Sequence, residues 1–189
     1  RGDRRDGASD GSSGEPSGAD PSSGPGPDPA EESEGTGTEV VGSGQPPGTV
    51  RLPRGGTAEL VREEVGPDSV LPVPEDLNEA TWWGAGLDAP SGASVFAGHV
   101  DWQGRTGPFA ELWDARIGER VRVLDDAGTE WTYEITRIFT LHKNELPDRA
   151  HELFGQSGPH RLVLVTCGGR WLGGTTGYAE NRVVLAEPR

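Results

Sequence analysis

Hydrophobic and polar positions along the chain divide it near residue 48. Beyond that point short apolar runs alternate with turn residues and read as strands. Thr49–Leu52 and Ala58–Val65 are early strand candidates. The second also has helix-forming character in Glu59, Arg62, Glu63 and Glu64. Val70–Val73 is short and bounded by prolines. Ala93–Ala97 is apolar between Gly92 and Gly98, the pattern of a buried strand. Pro108–Ala115 has helical spacing in Phe109, Leu112 and Trp113. Arg120–Leu124, the turn Asp125-Asp126-Ala127-Gly128 and Glu130–Thr140 form a predicted hairpin with period-2 alternation. Asp148–Phe154 is a predicted short helix. Arg161–Thr166 is the strongest strand pattern, and Asn181–Ala186 the last. Regularly spaced strands separated by turn residues predict a mostly β, closed or nearly closed barrel.

Residues 1–48 have no such pattern. Gly, Pro and Ser make up 27 of the 48, no aromatic occurs, and the only apolar residues are three alanines and two valines. Such a segment cannot bury enough surface to offset its chain entropy and is expected to be a disordered, extended spacer. Its net charge of −7 is half of the −14 carried by the whole chain. All six Trp, both Tyr and all four Phe lie in residues 49–189, a normal length for one domain.

An acidic chain lacks the basic footprint of a nucleic-acid binder, and no nucleic-acid partner is expected. One cysteine excludes an intramolecular disulfide. No Met is present, so the chain reads as processed or truncated, and no run approaches the roughly 18 apolar residues of a membrane span. No P-loop, GxGxxG or GxSxG stands in a fitting context.

The candidate chemistry lies at strand ends. Cys167 follows the strongest strand and precedes Gly168-Gly169, where the chain is expected to turn into a flexible loop. A lone cysteine there is either a nucleophile or a small buried hydrophobe. His99, in Gly98-His99-Val100-Asp101-Trp102, also follows an apolar strand. It can serve as the base of a thiol or pack on Trp102. His142, His151 and His160 read as solvated surface. His99 and Asp101 share a face if the strand continues, but too few further ligands exist for a metal. Arg182, 15 residues after Cys167, can supply hydrogen bonds to an oxyanion or lie at a strand surface. Arg170, in a Gly-rich loop, is its competitor.

Together these features resemble the sortases, cysteine transpeptidases of Gram-positive surfaces, over Thr49–Arg189. The TLxTC motif of that family is matched by Val163-Leu164-Val165-Thr166-Cys167, with Val163 in place of the leading Thr. His99 matches the family's histidine and Arg182 its arginine. The GHVDW stretch, Gly107–Trp113 and TCGG are most similar to class F sortases of actinobacteria. The resemblance implies an eight-stranded barrel and cleavage of an LPxTG-like sorting signal between Thr and Gly. It further implies a thioester on Cys167 and transfer to a peptidoglycan precursor or other amine acceptor. Thr166, Gly168 and Trp102 are the implied substrate-binding residues. No cofactor or metal is implied. A monomer is expected, on the extracellular face of the membrane, held by an N-terminal anchor absent from this chain and with residues 1–48 as its stalk. A simple cysteine hydrolase and an inert wall-binding module are the alternatives.

Overall fold

The computed structural model describes residues 44–66 and 70–189. The spacer expected from composition lies outside the described residues up to position 43. Gln45, within the expected spacer, is buried. Its amide donates to the Thr49 and Arg122 carbonyls at 2.9 and 3.3 Å, tying this stretch to two barrel strands.

Ten strands form in chain order: β1 Thr49–Arg51, β2 Thr57–Arg62, β3 Glu79–Gly84, β4 Ala93–Ala97, β5 Asp101–Trp102, β6 Arg105–Thr106, β7 Arg120–Leu124, β8 Glu130–His142, β9 Arg161–Trp171 and β10 Tyr178–Pro188. Eight of them close a barrel in the order β1-β2-β3-β4-β9-β10-β8-β7. The β2–β3 and β4–β9 pairs are parallel and the others antiparallel. The predicted β7–β8 hairpin forms. Its turn is held by the Thr129 N–H donating to Asp125 Oδ1 and by Gly128 at a φ of 82°. The small β5–β6 ribbon turns through Gln103 and Gly104, both at positive φ, as a two-residue hairpin turn requires.

Side chains alternate between the interior and the outer face, as barrel strands must. On β9, Leu162 and Leu164 join the interior cluster with Phe96, Tyr133, Ile135 and Val184. Val163 and Val165 belong to a second apolar cluster outside the barrel, with Val95, Val183 and Leu185. The helix α1, Leu146–Phe154, covers that outer cluster with Leu153, and the 3-10 helix Pro108–Trp113 supplies Phe109 and Leu112 to the interior cluster. Burial on both faces explains why Arg161–Thr166 reads as an unbroken apolar run.

Three expectations change. Val70–Val73 forms no strand, because Pro72 and Pro74 lack ladder donors; instead the Thr81 hydroxyl bonds the Pro72 carbonyl. β3 is a strand the pattern did not single out. Cys167 is not at the end of its strand, since β9 continues to Trp171.

The β4–β9 pair ends in a clamp. The Gly98 N–H donates to the Val165 carbonyl at 3.1 Å, and the buried Thr166 hydroxyl donates to the Gly98 carbonyl at 2.7 Å. Thr166→Val keeps the shape but leaves that carbonyl short of a partner, a loss of about 1–3 kcal/mol. Thermal denaturation should show a Tm lower by roughly 2–4 °C per kcal/mol, with Thr166→Ser near the parent. Equal Tm values for all three proteins would remove the clamp from this account.

Candidate active site

The residue after each half of the clamp is a candidate reactive group. His99 follows Gly98 and Cys167 follows Thr166, and both line one cavity of about 640 Å³ on the outer face of the sheet. The volume suits an extended peptide segment or a small ligand. Its walls are largely apolar: Val95 and Val165 from the sheet, Leu146 and Phe154 from α1, and Val70 and Leu71 from the preceding loop.

His99 is fixed on two sides. Its ring stacks on Trp102, with centroids 4.9 Å apart and planes at 30°. It also bonds the backbone of Pro74, which offers only a carbonyl, so one ring nitrogen donates there and the other is left to accept in the neutral ring. The two alternatives that the sequence left for His99 therefore coexist. Burial lowers its pKa, against the Pro74 bond and the Asp101 charge, which favour imidazolium. Asp101 in turn accepts a 2.6 Å bond from the Tyr178 hydroxyl, and this bond heads the causes that push Tyr178 up to about 12.

Cys167 is half-buried and free. Burial pushes its thiol up. The Asp101 charge adds to that and Lys143 opposes it. Its carbonyl accepts from Trp113 Nε1 at 3.0 Å, and the Trp113 ring lies so close to Gly168 that a β-carbon there would come within 2.3 Å of it. Gly168 is thus a packing surface for the tryptophan that holds the Cys167 backbone. Likewise a β-carbon on Gly98 would meet the buried Phe109 ring at 2.6 Å.

The structure does not bring Arg182 to the thiol. Cys167 pairs with Asn181, and Arg182 pairs with Thr166. Alternation puts Cys167 and Asn181 on the outer face with Val165 and Val183, and turns Arg182 to the other face with Val184. There its guanidinium donates to the Leu112 and Trp113 carbonyls at 3.1 and 3.4 Å and to Thr140 Oγ1 at 2.7 Å, 5.4 Å from the Trp113 ring centroid. Arg170 is exposed and does not line the cavity.

Of the residues expected to touch substrate, Trp102 is partly exposed beside His99. Thr166 borders the cavity, but its hydroxyl is engaged by Gly98. His151, expected at the surface, is exposed on α1 and borders the cavity. His160 is a correction: its Nε2 lies 2.8 Å from the Tyr133 hydroxyl and its Nδ1 is buried, because residue 160 leads directly into the buried start of β9.

Residues 52–189 match the family described as Sortase domain. The chain belongs to the sortase family. Solved sortases share its fold at low identity. Sortase C1 of Streptococcus agalactiae superposes with a TM-score of 0.57 at 17% identity, over 75% of this chain and 66% of that one. SrtA of Actinomyces oris gives 0.54 at 20%, over 80% and 83%. Sortase A of Listeria monocytogenes gives 0.53 at 17%, over 75% and 86%. The sortase chain described here thus spans just under two thirds of the S. agalactiae structure. No curated protein sequence matches it.

In this sortase both members of the His99–Cys167 pair are pushed toward their neutral forms. A thiol raised by burial carries little thiolate at neutral pH. The rate of Cys167 alkylation by iodoacetamide should therefore rise steadily, about tenfold per pH unit, from pH 6 to 8 without a plateau. A plateau already reached below pH 7 would mean a resting thiolate and contradict this electrostatic picture.

Proposed function

We propose that this protein is a cysteine transpeptidase that cleaves an LPxTG-type sorting signal between Thr and Gly and passes the acyl group to an amine. The observation that carries the reading is that His99 and Cys167 line one largely apolar cavity in a chain with the Sortase domain. Cys167 Sγ attacks the Thr carbonyl carbon while its proton passes to His99. The tetrahedral adduct collapses, the C–N bond breaks, and His99 returns the proton to the leaving amine. The thioester is then opened by an incoming amine: the new C–N bond forms, the C–S bond breaks, and His99 accepts the amine's proton and returns it to the departing Cys167 sulfur. The apolar walls keep water from competing for the thioester.

Arg182 enters this proposal as a positioning residue. It holds the end of the 3-10 helix and so Trp113, which in turn holds the Cys167 carbonyl. Trp102 serves by holding the His99 ring and by bordering bound substrate. The finer placement in class F rests on the GHVDW, GPFAELW and TCGG stretches. The spacer ahead of Gln45 serves as a stalk from a membrane anchor on the extracellular face. Among the described residues no helix is long and apolar enough to cross a membrane. The natural partners are surface proteins bearing the signal and a peptidoglycan precursor or similar amine.

Mass spectrometry of an LPxTG peptide incubated with enzyme and triglycine tests the proposal. Ligated peptide-triglycine is expected from the parent protein and from neither Cys167→Ala nor His99→Ala, with activity down by at least 1000-fold in each. Cleaved but never ligated peptide would make the protein a hydrolase. Undiminished cleavage by Cys167→Ala would overturn the proposal.

A further inference from the structure

Attack on the Thr carbonyl puts negative charge on its oxygen, and a sortase needs a fixed donor there. This structure turns the expected guanidinium away from the thiol. Among the described residues no Arg or Lys side chain lines the cavity. Lys143, the cation that acts on the Cys167 thiol, has its ammonium bonded to the Thr176 carbonyl. Of the polar groups that do line the cavity, the Thr166 hydroxyl is held by Gly98, and Gln156 Nε2 donates to the Ala93 and Phe154 carbonyls at 3.0 and 2.9 Å. The two histidines stand on elements other than the strand beside the thiol.

Asn181 remains. It sits directly across from Cys167 in the β9–β10 ladder, on the same face, and lines the same cavity. Directly opposed residues have β-carbons about 4.5–5.5 Å apart, so an oxygen bonded to a carbon on Sγ falls within reach of the carboxamide. Among the described residues the Asn181 side chain makes no hydrogen bond, leaving both N–H groups free for a ligand. It stands on a barrel strand, which fixes a donor better than a loop does.

We infer that Asn181 is a catalytic residue of this sortase, donating from its carboxamide to the carbonyl oxygen of the scissile Thr–Gly bond as that oxygen becomes an oxyanion. The inference rests on the transpeptidase reading above. A neutral donor also suits a site where burial disfavours charge on both the thiol and the imidazole.

The test measures kcat/KM for a fluorogenic LPxTG peptide alongside the rate of Cys167 alkylation by iodoacetamide and the Tm. Asn181→Ala is expected to lose about 100- to 1000-fold in kcat/KM, mostly in kcat, with alkylation within twofold and Tm little changed. Asn181→Asp, nearly isosteric but without a donor, should lose at least as much, and it serves if the alanine variant folds poorly. Asn181→Gln should recover part of the rate. Cleavage by Asn181→Ala and Asn181→Asp within threefold of the parent, with Cys167→Ala inactive, overturns this inference and leaves the transpeptidase reading standing. Equal losses in cleavage and alkylation also overturn it, since they mark a disturbed thiol site. Cleavage by Cys167→Ala would instead overturn the transpeptidase reading itself.

Discussion

The site depends on the parallel pairing of β4 with β9 and on the two hydrogen bonds that end it. Gly98 is bonded through its N–H to Val165 and through its carbonyl to Thr166, so the chain leaves β4 tied to β9 with no slack. His99 and Cys167 are the next residue on each side. A catalytic thiol and its base must be held within a fraction of an ångström of their working geometry, and paired strands do this better than loops. The surrounding packing locks the clamp further: Phe109 occupies the space where Gly98 lacks a side chain, and Trp113 does the same at Gly168. Both aromatics come from one 3-10 helix, whose last carbonyls Arg182 holds.

The same sheet separates two jobs by its two faces. Outward from β9 and β10 lie Cys167, Asn181 and the apolar floor of the cavity. On the other face, Thr166 and Arg182 hold the backbone in place. A shift of one residue in register would exchange these sets. The electrostatics agree with this division. Among the described residues no Arg or Lys lines the cavity with the thiol, burial opposes charge on both Cys167 and His99, and Asp101 favours the imidazolium while disfavouring the thiolate. Charge then has to develop during the reaction, where a prearranged donor is most effective.

Much of this was legible in the sequence because it is local. The runs Ala93–Ala97 and Arg161–Thr166, the Asp125–Gly128 turn and the spacing of Phe109, Leu112 and Trp113 each fix a strand, a hairpin or a helical turn from neighbouring residues alone. The residues His99 and Cys167 stood out because each follows an apolar run. What was not legible is relational. Nothing in Glu79–Gly84 announces a strand until its parallel partner β2 is present. The direction in which Arg182 points depends on its register against Cys167, and the 14 residues between them, which include the ends of both strands and the turn, leave that register open in the sequence. Gln45 and His160 look solvated because their polarity is visible and their partners, Arg122 and Tyr133, are distant in sequence.

The most direct test of the account is to catch the acyl-enzyme. The protein would be mixed with excess LPxTG peptide without an amine, quenched in acid within the first turnovers, and analysed by intact mass and peptide mapping. A mass gain equal to the peptide up to and including its Thr, located on Cys167 and removed by hydroxylamine, is the predicted result. Cleaved peptide in the quench with Cys167 unmodified at every time point, while hydroxylamine traps no acyl group, would contradict it.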